Sequence, residues 1–272
     1  MGRVARIRLI PGLPGRARAW RYGPHRSQRA ELLLPQGAGP HRVMVVIHGG
    51  GWRDRATMSQ TGALAEDLTR RGWATWNIEY RRVGEGGGWP ATFEDVAGAI
   101  DRLAGLDAPL DLDAVSVLGH SAGGHLALWA AGRERLPAGS PGASPVVPLR
   151  RAIGMAAVCD LAGAYRRWRG GAVEGLMGGA PEQLPERYAV ADPLAQVPLH
   201  VPVLLVHGAL DKVVPIELAR RYARAATDAG GTVALVEIDG EGGRHLKHLH
   251  PRGAPWAAVT RWLAEQAAAG EA

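Results

Sequence analysis

A serine stands at the centre of the segment Gly119-His120-Ser121-Ala122-Gly123, which follows an apolar run and precedes a run typical of a helix. The pattern G-x-S-x-G between a strand and a helix predicts a sharp turn that exposes the serine hydroxyl above a sheet. Glycines are needed there because strand and helix approach closely and the serine adopts a strained backbone. We therefore interpret Ser121 as a candidate nucleophile; the alternative is a glycine-rich turn with an incidental serine.

A second glycine motif, His48-Gly49-Gly50-Gly51-Trp52, directly follows the apolar run 42–47. Successive glycines let backbone N–H groups converge on one point, which suits the negative charge that develops on a carbonyl oxygen during acyl transfer. A phosphate-binding loop is the competing interpretation, but Arg53-Asp54 stands where a Lys-Ser/Thr pair would follow. The order and spacing of the two glycine motifs are similar to those of the α/β-hydrolases.

A nucleophilic serine needs a base, and the base needs a carboxylate that orients it. In the α/β-hydrolase order the acid follows the serine and the histidine comes last. Asp211 follows the predicted strand 203–206 and is the candidate acid, with a helix cap as its alternative role. Three other aspartates are weaker candidates: Asp160, Asp192 and Asp239.

Three histidines follow the last predicted strand: His245, His248 and His250. His245 is the candidate base because it comes earliest in the loop, and His248 is the runner-up, whereas His250 stands next to a proline at the start of the last predicted helix. Similar histidine spacing occurs in metal sites, but no further ligands cluster nearby, so we expect no metal. Elsewhere we expect a structural or pocket-lining role for His120 and packing roles for His125 and His207.

Apolar runs and helical periodicity alternate along the chain. Unbroken apolar runs predict strands that are buried on both faces of a parallel sheet. The alternation predicts an α/β fold with a mostly parallel, doubly wound sheet flanked by helices. The predicted strands are 30–34, 42–47, 73–80, 114–118, 151–158, 203–206 and 233–238, and the predicted helices are 57–70, 90–103, 122–131, 215–229 and 254–266.

Residues 161–199 contain no clear strand and many Gly, Pro and Arg residues, so we expect a short lid insertion there. Several of its large side chains are expected to line a substrate pocket, although they could instead pack the lid onto the body. These side chains are Tyr165, Trp168, Leu176, Met177 and Tyr188.

The composition is that of a folded protein, with 272 residues of which 46% are hydrophobic and 21% are charged. The single cysteine, Cys159, excludes an intrachain disulfide and a cysteine-based cluster. The net charge is +6, but residues 1–30 hold eight arginines and no acid, so the remainder sums to −2. We therefore predict a basic N-terminal arm at 1–28 and a single α/β-hydrolase domain at 29–272.

The basic arm lacks the interleaved aromatic residues of a nucleic-acid-binding face, and we interpret it as a solvated extension. No apolar run is long enough to span a bilayer, and the N-terminal residues do not form a signal peptide. The sequence thus predicts a cytoplasmic protein, monomeric or homodimeric, that needs no cofactor and binds neither nucleic acid nor membrane.

Together the motifs resemble those of the esterase and kynurenine formamidase-like group of α/β-hydrolases, and the resemblance extends from Tyr22 to Leu263. The segment 48–52 matches both the HGGG motif of hormone-sensitive-lipase-like esterases and the HGGxW motif of formamidases. Relatives often carry an acidic residue before the candidate base and an aromatic residue after it, where this chain has Arg244 and Leu246. The resemblance implies an oxyanion hole formed by the N–H groups of Gly50, Gly51 and Ala122.

From these residues we predict a metal-independent serine hydrolase that cleaves a small ester or aryl-formamide through an acyl-enzyme. The lid is too short to enclose a long lipid chain. One alternative is an acyl transferase or cyclase that uses the same triad with an acceptor other than water. Another is a non-catalytic ligand-binding homologue, which an incomplete triad would favour. The predicted substrate contacts are Trp52, His120, Trp168 and Met177.

Overall fold

The computed structural model describes residues 7–9 and 16–270 and places nine strands in one sheet. The strands are β1 (Ile7–Leu9), β2 (Arg16–Arg21), β3 (Arg29–Leu33), β4 (His41–Ile47), β5 (Ala74–Ile78), β6 (Leu110–His120), β7 (Arg151–Met155), β8 (Val203–Gly208) and β9 (Val233–Ile238). Their order across the sheet is β1-β2-β3-β5-β4-β6-β7-β8-β9. Along this order, neighbouring strands are antiparallel from β1 through β3 to β5, and they are parallel from β5 through β4 to β9. The predicted mostly parallel sheet is confirmed.

Helices cover both faces of the sheet. They are α1 (Gly62–Arg70), α2 (Ala91–Asp101), α3 (Ala122–Ala131), α4 (Leu161–Trp168), α5 (Gly171–Met177), α6 (Pro185–Ala191), α7 (Ile216–Asp228) and α8 (Ala254–Gly270). One apolar layer joins the sheet to α1 and α8, and the larger layer joins it to α2, α3, α7 and the lid. None of the helices in the described ranges combines the length and apolarity that crossing a bilayer requires.

Strand β4 shows why the central strands are unbroken apolar runs. Its residues Val43 to Ile47 are all fully buried. Successive side chains point to opposite faces, so Val45 and Ile47 enter one apolar layer while Met44 and Val46 enter the other. Because both faces are covered by helices, neither face selects polar residues.

The predicted boundary between an N-terminal arm and the domain at residue 28 is wrong for the described residues. Strand β2 pairs antiparallel with β3 from Ala17, opposite Leu33, to Arg21, opposite Arg29. In the segment 16–21 arginine alternates with alanine up to Ala19, and Trp20 then stands on the same strand face as Arg18. Trp20 packs against the larger apolar layer. One strand face therefore carries both an arginine and a core-facing tryptophan, so the charge of the segment does not distinguish this strand from a solvated extension; residues 1–6 and 10–15 lie outside the described residues.

The segment 161–199 contains helices and no strand, as predicted. It comprises α4, α5, α6 and a 3-10 turn at Pro193–Gln196. Leu161 of α4 and Val173 of α5 are fully buried in the larger apolar layer. The segment is therefore packed on the body of the protein along much of its length.

Candidate active site

Four functional segments meet at one edge of the sheet. The glycine motif follows β4, Ser121 follows β6, Asp211 follows β8, and His245 follows β9. These strands are mutually parallel, so their carboxyl ends lie at the same edge. This edge is where α/β sheets place their ligands.

Ser121 occupies a strained turn between β6 and α3. Its backbone has φ 55° and ψ −119°, a region that non-glycine residues rarely adopt, at a cost of about 1–3 kcal/mol. A Cβ on Gly119 would collide with the backbone of Gly123, and a Cβ on Gly123 would collide with the carbonyls of Ile47 and His48. The two flanking glycines are therefore required by close backbone packing, as the motif predicts.

His245 and Asp211 form a direct side-chain hydrogen bond. Nδ1 of His245 lies 2.7 Å from Oδ2 of Asp211. The other carboxylate oxygen of Asp211 accepts hydrogen bonds from the N–H groups of Val213 and Val214 at 2.8 and 3.0 Å. Burial raises the pKa of Asp211, but the hydrogen bond from His245, its charge and these backbone donors hold that pKa below its ordinary value. The carboxylate is thus ionised and accepts a hydrogen bond from the Nδ1–H of His245, which leaves Nε2 of His245 as the basic nitrogen.

The backbone of His245 is held by two buried imidazoles. Nε2 of His120 and Nδ1 of His248 both lie 3.1 Å from the carbonyl oxygen of His245, to which they donate. Burial lowers the pKa of His120 well below its ordinary value and that of His248 to about 4, so both rings are neutral donors near neutral pH. His248, the second candidate for the base, therefore supports the backbone of His245.

The glycine motif forms a loop with unusual backbone dihedrals. Gly50 and Gly51 have φ values of 107° and 63°, and Trp52 follows with 57°. The N–H of Gly49 donates to Oε1 of Gln60 at 2.9 Å, which fixes the start of the loop. Ala122 is the first residue of α3, where backbone N–H groups have no acceptor within the helix. Gly50, Gly51 and Ala122 line the same cavity as Ser121, as their predicted role requires.

A buried contact between a histidine and a glutamate anchors this loop. Nε2 of His48 lies 2.7 Å from Oε1 of Glu79, and both side chains are fully buried. Nδ1 of His48 lies 2.8 Å from the carbonyl oxygen of Gly49. Both ring nitrogens of His48 thus lie within hydrogen-bond distance of an oxygen atom, which fixes the orientation of the ring. Tyr80 stacks on this ring at 4.5 Å and donates from its hydroxyl to the carbonyl of His48 at 3.0 Å.

The cavity above Ser121 has a volume of about 620 Å³. Three of the four predicted substrate contacts line it: Trp52, His120 and Trp168. The prediction for Met177 is wrong, because Met177 is fully buried in the larger apolar layer and does not line the cavity. Leu176 and Tyr188 are likewise buried in that layer, and Tyr165 packs against it. Most of the large side chains of the lid thus pack it onto the body of the protein.

The different surroundings of Trp168 and Met177 predict different effects of truncation. Trp168→Ala enlarges the cavity, and we expect it to change the ratio of activity on bulky and short esters with little loss of stability. Met177→Ala leaves a void in the apolar layer and should lower the free energy of unfolding by about 2–5 kcal/mol. Denaturant unfolding combined with an ester-length series measures both effects. A large loss of stability in Trp168→Ala with unchanged selectivity would contradict this assignment.

The remaining predicted acids and histidines have structural roles. Asp160 caps α4, because its Oδ1 accepts a hydrogen bond from the N–H of Gly163 at 2.6 Å. His125 accepts a hydrogen bond from the indole of Trp52 at 3.2 Å and contacts the carbonyl of Ala191 at 2.9 Å. His207 lies 2.9 Å from the carbonyl of Val214 and 3.7 Å from Asp211, so it supports the loop of the candidate acid. These contacts agree with the predicted packing roles of the two histidines.

Four buried histidines make the stability of the fold dependent on pH. Burial lowers the pKa of His125 and His248 to about 4, and also lowers that of His120 and His207. The unfolded chain takes up protons on these rings below a pH of about 6.5, whereas the folded chain does not. Stability is therefore fully present above pH ~6.5 and is lost as the pH falls towards 4, by up to about 1.4 kcal/mol per pH unit for each ring.

One carboxyl group opposes this trend. Burial raises the pKa of Asp192 to about 6, so its protonation in the fold offsets part of the loss. Urea unfolding measured between pH 7 and pH ~4.5 should show a steep fall in the free energy of unfolding. His125→Gln should reduce the slope, whereas His250→Gln should not, because His250 is exposed. A free energy of unfolding that is constant over this range would show that the rings are not buried as neutral groups.

Several residues at the site were not predicted from the sequence. Gln60 and Glu79 reach the glycine loop from distant segments, and Arg53 and Arg55 line the cavity. Leu246, noted only as a departure from the relatives, also lines it. Arg53, Arg55 and Leu246 stand beside the motifs in the sequence, and Gln60 and Glu79 stand 11 and 31 residues from the atoms that they contact, but none of these residue types by itself signals a site. Within the described ranges no group of three or more His, Cys, Asp or Glu residues could hold a metal ion.

Comparison with known proteins identifies relatives of this chain. The BD-FAE family model matches residues 31–225. Esterase LipC of Mycobacterium tuberculosis is 29% identical over 223 residues, which cover 75% of this chain and 53% of LipC. Esterase LipQ of the same organism is 29% identical over 245 residues, which cover 79% of this chain and 58% of LipQ. The chain thus spans about half the length of these curated relatives.

Solved structures share the fold at low sequence identity. A truncated carbohydrate esterase from gut microbiota has a TM-score of 0.77 at 20% identity, covering 91% of this chain and 95% of that chain. Native esterase Est2 of Thermogutta terrifontis has a TM-score of 0.72 at 24% identity, covering 96% and 94%. These likenesses confirm the α/β-hydrolase fold. The BD-FAE family model matches well over half of the residues of this chain, so the chain belongs to the BD-FAE family of α/β-hydrolases.

Proposed function

We propose that this protein is a carboxylesterase that cleaves small-molecule esters through an acyl-enzyme on Ser121. The observation that carries the proposal is the 2.7 Å contact between His245 and Asp211 beside the cavity that Ser121 and His245 both line. A complete set of nucleophile, base and acid argues against a non-catalytic ligand-binding homologue. The names of the relatives LipC and LipQ, both esterases, support the same reaction class.

In the first half of the proposed reaction, Nε2 of His245 takes the proton of the Ser121 hydroxyl as the oxygen attacks the ester carbonyl. The positive charge on the imidazolium is stabilised by the ionised carboxylate of Asp211. The negative charge moves to the carbonyl oxygen, where the N–H groups of Gly50, Gly51 and Ala122 receive it. Loss of one such donor typically costs about 2.7–4 kcal/mol of transition-state stabilisation. His245 then protonates the leaving alkoxide, and the acyl group stays on Ser121.

In the second half, water replaces the alcohol. His245 takes a proton from water as the water oxygen attacks the acyl-enzyme, and the same N–H groups hold the second oxyanion. Breakdown returns the proton to Ser121 and releases the carboxylic acid. A cavity of about 620 Å³ is of the size that holds small-molecule ligands.

The same triad can act on an aryl-formamide, and an acceptor alcohol or amine can replace water. We place ester hydrolysis first because the relatives carry esterase names. Product analysis separates the three reactions: a formamide releases formate, and acyl transfer gives a new ester or amide whose yield increases with acceptor concentration.

The nucleophile assignment is tested by Ser121→Ala. We expect this variant to lose labelling by a fluorophosphonate probe and to lose turnover of p-nitrophenyl esters, because the hydroxyl is the only group that the mechanism acylates. Its melting temperature should stay near that of the wild-type protein. Full labelling of Ser121→Ala would show that another serine is activated and would refute the proposal.

A further inference from the structure

The cavity above Ser121 has walls of two kinds. Most side chains beside the candidate base and the lid are apolar, including Val213, Val214, Leu246 and Trp168. Leu246 and Val213 are 67% and 54% exposed, although both are large apolar residues. Exposed apolar side chains at a cavity mouth are available to cover the hydrocarbon part of a ligand.

The other wall carries positive charge. Arg53 and Arg55 line the cavity, and both belong to the segment that continues from the glycine loop. None of the cavity-lining residues is an aspartate or glutamate. Asp54, between the two arginines, is exposed and does not line the cavity.

These two arginines differ from the arginines nearby. Arg81 is paired with Asp95 at 2.7 Å, and both Arg26 and Arg82 are paired with Glu85 at 2.6 and 2.5 Å. Within residues 7–9 and 16–270, no carboxylate lies within 4.0 Å of the guanidinium group of Arg53 or Arg55. A carboxylate of the described residues neutralises neither charge, so both side chains can pair with an anionic ligand.

We propose that the ester cleaved at this site carries a carboxylate, which Arg53 and Arg55 bind. The inference rests on the proposed function of Ser121 as the ester-cleaving nucleophile. A guanidinium group presents paired N–H donors that match the two oxygens of a carboxylate. Neutral esters lack this contact, and cationic esters are repelled. The activity therefore decreases in the order anionic, neutral, cationic.

The expected preference is modest, because the arginines are partly or fully exposed to solvent. An exposed ion pair contributes about threefold per arginine, so two arginines give a preference of about tenfold. Salt screens such contacts, so the preference should decrease as the ionic strength rises from about 0.01 to about 0.5 M.

The test compares kcat/KM for matched esters after subtraction of spontaneous hydrolysis. One arm places the carboxylate on the acyl side, with mono-p-nitrophenyl glutarate against p-nitrophenyl pentanoate. The other arm places it on the leaving group, with a carboxy-substituted nitrophenyl butyrate against p-nitrophenyl butyrate. We expect a preference of about tenfold for the anion in at least one arm, and the responding arm shows which side of the ester faces the arginines.

Substitutions test whether Arg53 and Arg55 cause the preference for anionic esters. Arg53→Gln and Arg55→Gln should each lower the ratio of anionic to neutral kcat/KM about threefold, and Arg55→Glu should lower it further. Arg261→Gln, at an exposed position on α8 outside the cavity, should leave the ratio unchanged. Equal kcat/KM for anionic and neutral esters in both arms, or a ratio that all of these variants retain, would overturn the inference.

A binding measurement separates this inference from the proposed function. Calorimetry on Ser121→Ala, with mono-p-nitrophenyl glutarate and p-nitrophenyl pentanoate as probes, reports recognition without turnover. Tighter binding of the anion, reduced about threefold in Ser121→Ala combined with Arg55→Gln, supports the role of the arginines even if the wild-type protein hydrolyses neither ester. Equal binding of the two probes, with hydrolysis of both by the wild-type protein, supports the esterase and refutes the arginine site.

Discussion

We expect His245→Ala to lower the turnover of any ester substrate by about 10⁴- to 10⁶-fold, close to the loss in Ser121→Ala, because the members of a triad act as a unit. The structure gives the reason. Only His245 among the three clustered histidines has its ring on Asp211, at 2.7 Å, while it also lines the cavity of Ser121. Removing it leaves the Ser121 hydroxyl without a base and Oδ2 of Asp211 without the hydrogen bond from His245.

The neighbouring histidines provide the controls. His250→Ala changes an exposed side chain and should leave turnover within about twofold of wild type. His248→Ala removes a buried donor to the carbonyl of His245, so it should act mainly through stability. Steady-state kinetics on a p-nitrophenyl ester measures all three variants. If His248→Ala were inactive and His245→Ala active, the assignment of the base would be wrong.

The second large effect is expected at Glu79, which makes no contact with the cavity. Glu79→Ala removes the carboxylate that faces the buried side chains of His48 at 2.7 Å and Arg82 at 3.5 Å, and breaking a buried ion pair such as Glu79 with Arg82 costs about 3–5 kcal/mol. Burial raises the pKa of Glu79, but the hydrogen bond and charge of His48 and the charge of Arg82 hold that pKa below its ordinary value. The carboxylate is therefore ionised in the fold, and the substitution removes the whole of its interaction with these buried side chains.

Glu79→Ala should also lower kcat, because His48 anchors the loop whose N–H groups are proposed to receive the oxyanion. Glu79→Gln keeps a hydrogen-bond acceptor of similar shape and should lose less stability. Glu94→Ala is the matched control, since that side chain is 53% exposed, and it should change the free energy of unfolding by less than about 0.5 kcal/mol. Urea unfolding and kcat measured on the same preparations test the coupling. A stable Glu79→Ala variant with wild-type kcat would show that the pair does not support the loop.

Much of the local structure follows directly from the sequence. The strand–turn–helix around Ser121 was predicted because its glycines are needed where backbones collide, as at Gly123 against the carbonyls of residues 47 and 48. The run 42–47 was predicted as a doubly buried strand because burial on both faces leaves no polar alternation. The order serine, acid, histidine, combined with strand ends at one sheet edge, was enough to select Asp211 and to place the base among the histidines after β9, with His245 as the first candidate.

Other features depend on contacts between residues far apart in the chain. The sequence left open which of three histidines reaches Asp211, because that depends on how the turns after β9 pack. A close approach decides this packing: a Cβ on Gly208 would collide with the backbone of Gly243, so these two glycines let the segment before His245 lie against the end of β8. The burial of Met177, the pairing of β2 with β3 and the contact of His48 with Glu79 are of the same kind. Periodicity and backbone sterics act between neighbours and can be read from residue types, whereas burial and pairing across the fold are set by which surfaces meet.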